Sequence, residues 1–329
     1  MTACSTRGTP DTAPTPAAAS SALSAPGTLS LLVEPDAGLA PIYALIASAH
    51  RTLDLTMYEL VDTDAELALE LAASRGVAVR VLLDRNREQA ANQPAYDELT
   101  AMGVHVAWAD SRYAATHEKA LVVDGSLSAV MSLNLTKRYY ASTRDFAVLD
   151  RDPADVASID RAFDADFRHA PFTPAVGTDL VWSPHQSASA LPALIDSATS
   201  TLLVENEEMA SPVVTAALTR AAHRGVHVVV VMTDQSEWHK AFNALVGAHV
   251  TVRLYASNAR LYIHAKAIVA DAGTPKQRAF VGSENFSKAS LNSNRELGLL
   301  TGDATVVAGL ARTINDDAAG GKAWVPSKS

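Results

Sequence analysis

Thr116-His117-Glu118-Lys119-Ala120-Leu121-Val122-Val123-Asp124 carries a His, a Lys two residues later and an Asp five residues beyond the Lys. His264-Ala265-Lys266-Ala267-Ile268-Val269-Ala270-Asp271 repeats the pattern. Alternate residues of a strand share a face, so each His is predicted to project together with its Lys. A titratable ring beside a fixed positive charge suits chemistry on an anion. One copy is a weak signal; two copies inside a longer repeat decide the fold.

The repeat extends well beyond the motif. Ala44-Leu45-Ile46-Ala47-Ser48-Ala49 matches Ala193-Leu194-Ile195-Asp196-Ser197-Ala198 at an offset of 149 residues, and Arg75-Gly76-Val77 matches Arg224-Gly225-Val226 at the same offset. His117 and His264 are 147 apart, whereas Asn134 and Asn285 are 151 apart. The length changes are assigned to loops, the second to the Gly273-Thr274-Pro275-Lys276 turn. Within the first copy the pattern predicts a strand at Leu29–Val33, a helix from Pro41 to about Ala49, and a strand at Thr52–Tyr58. A helix capped by Asp64, a strand at Val77–Leu83, a helix at Pro94–Met102 and a strand at Val104–Trp108 follow. Alternating strands and helices imply sheets covered by helices. The expected units are 28–176 and 177–329, preceded by a disordered Ala/Ser/Thr/Pro-rich tail over 1–27.

Composition bounds the partners. At 329 residues, 48% hydrophobic and 19% charged, the chain reads as globular with room for two units. The 36 acidic residues outnumber 27 basic ones for a net charge of −9, which disfavours non-specific nucleic-acid binding without removing a local basic cleft. No apolar run approaches the ~20 residues of a bilayer span. The lone cysteine, Cys4, provides neither a disulfide framework nor a cysteine zinc site. Met1-Thr2-Ala3-Cys4 ahead of a Ser/Thr/Pro tether resembles a bacterial lipoprotein junction, with the upstream signal region missing from this chain. The expected location is therefore extracytoplasmic, secreted or lipoprotein-like with Cys4 as the candidate lipidation site, and otherwise cytoplasmic. A chance Cys in a low-complexity tail is the competing reading.

After the first motif comes Met131-Ser132-Leu133-Asn134, with Asp145 eleven residues past Asn134; after the second comes Gly282-Ser283-Glu284-Asn285, with Glu296 eleven residues past Asn285. Two unequal halves thus keep His, Lys, Asp, Ser, Asn and a distal carboxylate in one order, which packing alone does not explain. These residues resemble the phospholipase D superfamily, whose signature is HxKxxxxD followed by GSxN, and in particular its bacterial two-motif members. Met131 stands where that signature has Gly. The resemblance covers residues 28 to about 318.

It implies an α/β duplicated phospholipase D fold: two α/β/α sandwich halves related by a pseudo-twofold, with one shared active site. It also implies a phosphodiesterase acting through a phosphohistidine, one His attacking phosphorus and the other protonating the leaving oxygen and then activating water. By analogy His117 is the nucleophile and His264 the general acid/base. Lys119 and Lys266 would hold non-bridging phosphate oxygens, with Asn134 and Asn285 donating further hydrogen bonds. Ser132 and Ser283 are either additional substrate contacts or structural. Asp145 and Glu296 are expected to orient the imidazoles, Asp145 serving His117 of its own half. Asp124 and Asp271 are read as structural. No metal or other cofactor is expected, because the lysines supply the charge.

The expected substrate is a phospholipid at a membrane surface or micelle, with water or an alcohol as acceptor, and the chain is expected to be monomeric because both motifs lie in it. The alternatives are an endonuclease using the same chemistry and a phosphatidyl transferase resembling cardiolipin synthases. A non-catalytic binding module is disfavoured because both His–Lys pairs are intact. Tyr58-Glu59 and Glu207-Glu208, equivalent at offset 149, either line the cleft or cap the sheet.

Overall fold

A computed structural model describes residues 27–326. The tail proposed over 1–27, including Cys4, lies outside the described residues apart from Gly27. The first half runs β1 (Leu29–Glu34), α1 (Ala40–Ala47), β2 (Thr52–Met57), β3 (Leu60–Val61), α2 (Thr63–Ser74), β4 (Ala78–Leu83), α3 (Gln89–Ala101), β5 (His105–Trp108), β6 (Ala120–Val123), β7 (Leu127–Met131), β8 (Leu135–Thr136), β9 (Thr143–Asp150) and α4 (Pro153–Phe167). The second runs β10 (Leu180–Ser183), α5 (Ser187–Ser197), β11 (Thr201–Glu205), α6 (Pro212–His223), β12 (His227–Thr233), α7 (His239–Gly247), β13 (Thr251–Tyr255), β14 (Tyr262–Ile263), β15 (Ala267–Ala270), β16 (Arg278–Gly282), α8 (Lys288–Asn292), β17 (Glu296–Thr301), α9 (Ala304–Gly320) and β18 (Lys322–Ala323).

The duplication reappears as two sheets of one topology. The first has strand order β1-β9-β7-β6-β2-β4-β5, and the second has β10-β17-β16-β15-β11-β12-β13 with β18 added at its edge. In each, three strands joined by helical crossovers are parallel and the motif-bearing side is antiparallel. Helices α1–α3 and α5–α7 bury their apolar faces on the outer sides of the two sheets. Between the sheets one core runs through both halves, joining Val130, Phe146 and Val148 to Trp182, Val281, Leu297 and Leu299, with α4 and α9 packed into it. We divide the sequence units at 176/177, in the connector between α4 and β10; the hydrophobic core is continuous across that division.

Local chemistry shifts two expected boundaries. Helix α2 is capped by Asp62, whose carboxylate accepts from Asp64 N at 3.1 Å, so Asp64 falls in the first turn instead of at the cap. Helix α3 begins five residues before Pro94, which it contains. Its buried Asn92 explains the early start: Oδ1 accepts from Leu60 N, and Nδ2 donates to Tyr58 O and Asp84 O, fixing the first turn against the ends of β2 and β4.

The motif aspartates close turns at the far end of the motif strands. Asp124 and Asp271 both have φ of +52°, a conformation that Asp and Asn tolerate better than most residues. Asp124 accepts from His50 N, Arg51 N and Thr52 N; Asp271 accepts from Thr199 N, Ser200 N and Thr201 N. Each carboxylate thereby ties the end of its motif strand to the start of the neighbouring β2 or β11.

Candidate active site

Both His-x-Lys segments lie just ahead of β6 and β15 instead of inside them, which corrects the expectation of regular strand. The cause is pairing with the opposite half. His117 N and Glu118 N both donate to Arg295 O, at 2.8 and 3.0 Å, and His264 N donates to Arg144 O at 3.2 Å. Ile263 pairs in parallel with Arg144, and Thr116 with Arg295. Each motif is therefore positioned by the strand that carries the distal carboxylate of the other copy.

That exchange determines the partners of the imidazoles. His117 Nδ1 lies 2.8 Å from Glu296 Oε2, and His264 Nδ1 lies 2.8 Å from Asp145 Oδ1. The expectation that Asp145 serves His117 is corrected: each carboxylate crosses the pseudo-twofold. An ionised carboxylate only accepts, so each Nδ1 carries a proton, leaving Nε2 as the reacting nitrogen. Glu296 is held in turn by Ser290 Oγ at 2.6 Å and Asn294 Nδ2 at 3.0 Å, and Asp145 by Ser132 Oγ at 2.6 Å. Burial alone would raise both carboxyls, but the facing imidazoles and nearby lysines hold each below its ordinary value.

Both histidines open on one cavity of about 600 Å³, walled also by Asn134, Asn285, Asp145 and Glu207. Tyr58, Glu59 and Glu208 line it too, so of the two readings of these paired positions the geometry gives the cleft. Ser132 and Ser283 are fully buried and not among the lining residues. Ser132 braces Asp145 and accepts from Phe146 N, and Ser283 Oγ accepts from Leu297 N. Their contacts are therefore structural rather than substrate-facing.

Lys119 and Lys266 are also fully buried, behind the imidazoles, with each Nζ donating at 2.5 Å to the carbonyl of its own motif His. Lys119 sits 4.8 Å from the centroid of the Tyr58 ring, whose edge meets His117. Burial is the main reason that its ammonium is pushed down to about 7. Burial also lowers the His117 ring, against the opposing pull of Glu296, and pushes the neighbouring Glu118 carboxyl up to about 8. Among the described residues no group of three His, Cys, Asp or Glu is arranged to hold a metal ion.

The buried ammonium gives a prediction with the sign set by linkage. Between pH about 7 and the ordinary 10.5, the unfolded chain binds the Lys119 proton and the native one does not, so stability rises with pH across that window. Below pH 7 the cost of the buried charge is fully present. Lys119→Met therefore raises stability on the order of 1–3 kcal/mol at pH 6, a gain that fades towards pH 10, while activity falls. Urea titrations of both proteins at pH 6, 8 and 10 check it; equal midpoint differences at all three would contradict the assignment.

Met131 fits where the signature has Gly because its surroundings differ from those of Gly282. A side chain at Gly282 would meet Glu284 Oε2 at 2.5 Å and Gly298 Cα at 2.5 Å, since Glu284 turns inward and Phe280 fills the space over Gly298. In the first half Leu133 replaces Glu284 and Ala147 faces Met131 across the ladder, and Met131 is buried in the outer core with them.

Sequence reading missed four groups that build the site's frame. Arg295 Nε donates to Asp166 Oδ2 at 2.6 Å, and Arg144 grips Asp317 through Nε at 2.6 Å and Nη2 at 3.0 Å. These are the same bond twice: Arg144/Arg295 and Asp166/Asp317 are each 151 residues apart, and both pairs cross between halves. The repeat offset carried that signal.

The sequence matches the family described as "Cardiolipin synthase, PLD-like domain" twice, over residues 42–167 and 191–318. It is 31% identical over 120 residues to the mitochondrial cardiolipin hydrolase of Chlamydomonas reinhardtii, covering 36% of this chain and 52% of that protein. It is 25% identical over 140 residues to the probable cardiolipin synthase YwiE of Bacillus subtilis (strain 168), covering 41% of this chain and 28% of that one. The matched stretches thus span about half or less of those relatives. Among solved structures, phosphatidylserine synthase of Haemophilus influenzae Rd KW20 superposes with a TM-score of 0.71 at 12% identity, covering 90% of this chain and 87% of that one.

Proposed function

This chain belongs to the phospholipase D superfamily, and from that membership we propose that it cleaves a phospholipid head-group phosphodiester through a phosphohistidine. The observation that carries the reading is the crossed pair of His–carboxylate couples opening on one cavity, with a lysine behind each. His117 Nε2 attacks phosphorus as Glu296 holds the Nδ1 proton, and the P–O bond to the head group breaks. His264 gives its Nε2 proton to the departing oxygen. The neutral His264 then takes a proton from water, whose oxygen displaces His117 from phosphorus and leaves a phosphatidate. Lys119, Lys266, Asn134 and Asn285 offer positive charge and donors to the phosphoryl oxygens, strongest where charge accumulates in the transition state.

A second reading, transfer of the phosphatidyl group to an alcohol, is favoured by the probable cardiolipin synthase among the similar proteins. It needs only that a hydroxyl replaces water in the second step. Cleavage of nucleic acid is disfavoured by the net charge of −9 and by Glu59, Glu207 and Glu208 on the cavity wall. We assign one chain per active site, since both motifs are present, and an extracytoplasmic setting that depends on Cys4. Among the described residues no helix is long and apolar enough to cross a membrane.

The test is to incubate the protein with EDTA and, separately, phosphatidylcholine, phosphatidylethanolamine and single-stranded DNA, with and without an added alcohol. Head-group release from lipid, unaffected by EDTA, is expected. A new phosphatidyl-alcohol in the presence of the acceptor would favour transfer. Cleavage of DNA without lipid turnover, or loss of activity in EDTA, would overturn the reading.

A further inference from the structure

Glu207 follows β11 at the position equivalent to Tyr58 after β2. In the first half the Tyr58 ring lies 4.6 Å from that of His117 and beside the Lys119 ammonium. In the second half a carboxylate stands in its place. Glu207 Oε2 accepts from Lys266 Nζ at 3.1 Å and Asn285 Nδ2 at 3.3 Å, and it lies 3.5 Å from His264 Nε2. Oε1 accepts from Tyr262 OH at 3.1 Å. One carboxylate oxygen therefore faces all three groups of this half that the proposed reaction aims at phosphate. Among the described residues no carboxylate bonds to Lys119 Nζ or Asn134.

We propose that Glu207 is an internal anion occupying the second half of the phosphate site, and that its displacement sets how tightly this enzyme holds anionic ligands. This rests on the phosphodiesterase reading of the site. Burial alone would make the acid hold its proton, but Lys266 and His264 keep the carboxyl ionised well below the usual carboxylate range. An exit is built beside it. Glu207 also walls a smaller cavity of about 220 Å³ shared with Glu208, Gln235, Glu237, Trp238 and Tyr262, so a side-chain rotation into that niche frees Lys266 without leaving Tyr262, while Asn285 Nδ2 keeps its bond to Glu208 Oε1 at 3.1 Å. An incoming phosphate oxygen takes up the donors that the carboxylate gives up. An anion that must first expel a like charge binds more weakly than one entering an open site.

The experiment is isothermal titration of the full chain with inorganic phosphate, in the wild-type protein and the variants Glu207→Gln, Glu207→Tyr and Lys266→Met. Glu207→Gln keeps the shape and loses the charge; Glu207→Tyr copies the first half. Both are expected to bind phosphate about tenfold tighter than wild type, and KM for the lipid substrate is expected to fall in parallel. Phosphate affinity that is unchanged or weaker in both variants, or absent from every protein, would overturn the proposal. Lys266→Met distinguishes the two levels of inference. If it abolishes phosphate binding and the Glu207 variants change nothing, only the role of Glu207 fails. If it leaves binding untouched, the phosphate-site reading itself fails.

Discussion

His117→Ala and His264→Ala are each expected to lower steady-state turnover by about 10⁴-fold or more, the scale seen when a nucleophile or its proton-transfer partner is removed. Neither substitution opens a large void, since both rings face the cavity, so folding is expected to survive. The crossed pairing adds a sharper expectation. Glu296→Gln should impair the His117 step and Asp145→Asn the His264 step, by about 10²–10⁴-fold each, although the sequence places each carboxylate in the opposite half. The pH profile follows from the same groups. Burial keeps His117 unprotonated to lower pH than an ordinary imidazole, so the acid limb of kcat/KM lies below 6.5. Above about 7 Lys119 loses its charge, weakening the hold on phosphate and raising KM. A profile still climbing at pH 9 would contradict the role given to Lys119.

Asp166→Ala is expected to destabilise the protein by about 3–5 kcal/mol, the cost of stranding a buried charge. Arg295 is fully buried, with its guanidinium 4.6 Å from the ring centroids of both Phe172 and Trp182, and Asp166 Oδ2 accepts its Nε at 2.6 Å. Glu118 lies 3.7 Å from the Arg295 Nε, and in the intact protein burial, with the Asp166 charge, pushes its carboxyl up to about 8. Since Arg295 O also anchors His117 N, the same variant should lower kcat beyond what its unfolded fraction explains. Asp317→Ala is the counterpart through Arg144. Urea unfolding monitored by fluorescence and circular dichroism checks both; a loss under 1 kcal/mol, or separate transitions for the two halves, would contradict a shared core clasped by two crossed ion pairs.

Particular residues show how far the sequence could be read. The duplicated motif, the alternation of strands and helices around it and the structural role of Asp124 and Asp271 at strand ends were legible because local pattern determines them. The partners of the histidines were not. A repeat that keeps the same polar residues in the same order makes pairing within a half and pairing across halves look identical in one dimension. Only the approach of Arg144 and Arg295 to the opposite motif chooses between them. Gly282 and Met131 differ for a similar reason, since the direction taken by Glu284 decides whether a side chain fits. Glu207 was visible as a repeat position, but its hold on Lys266 and Asn285 depends on a loop and a strand end meeting in space.

A single site with His117 as the nucleophile and His264 as the proton carrier has a direct kinetic signature. Stopped-flow with bis(p-nitrophenyl) phosphate, whose leaving group departs without protonation, separates the two steps. His264→Ala is expected to release about one equivalent of p-nitrophenolate per chain and then stall, with an acid-labile phosphoryl group on His117. His117→Ala is expected to show no burst. A burst in His117→Ala, or none in His264→Ala with no label on His117, would rule out these roles for the two histidines.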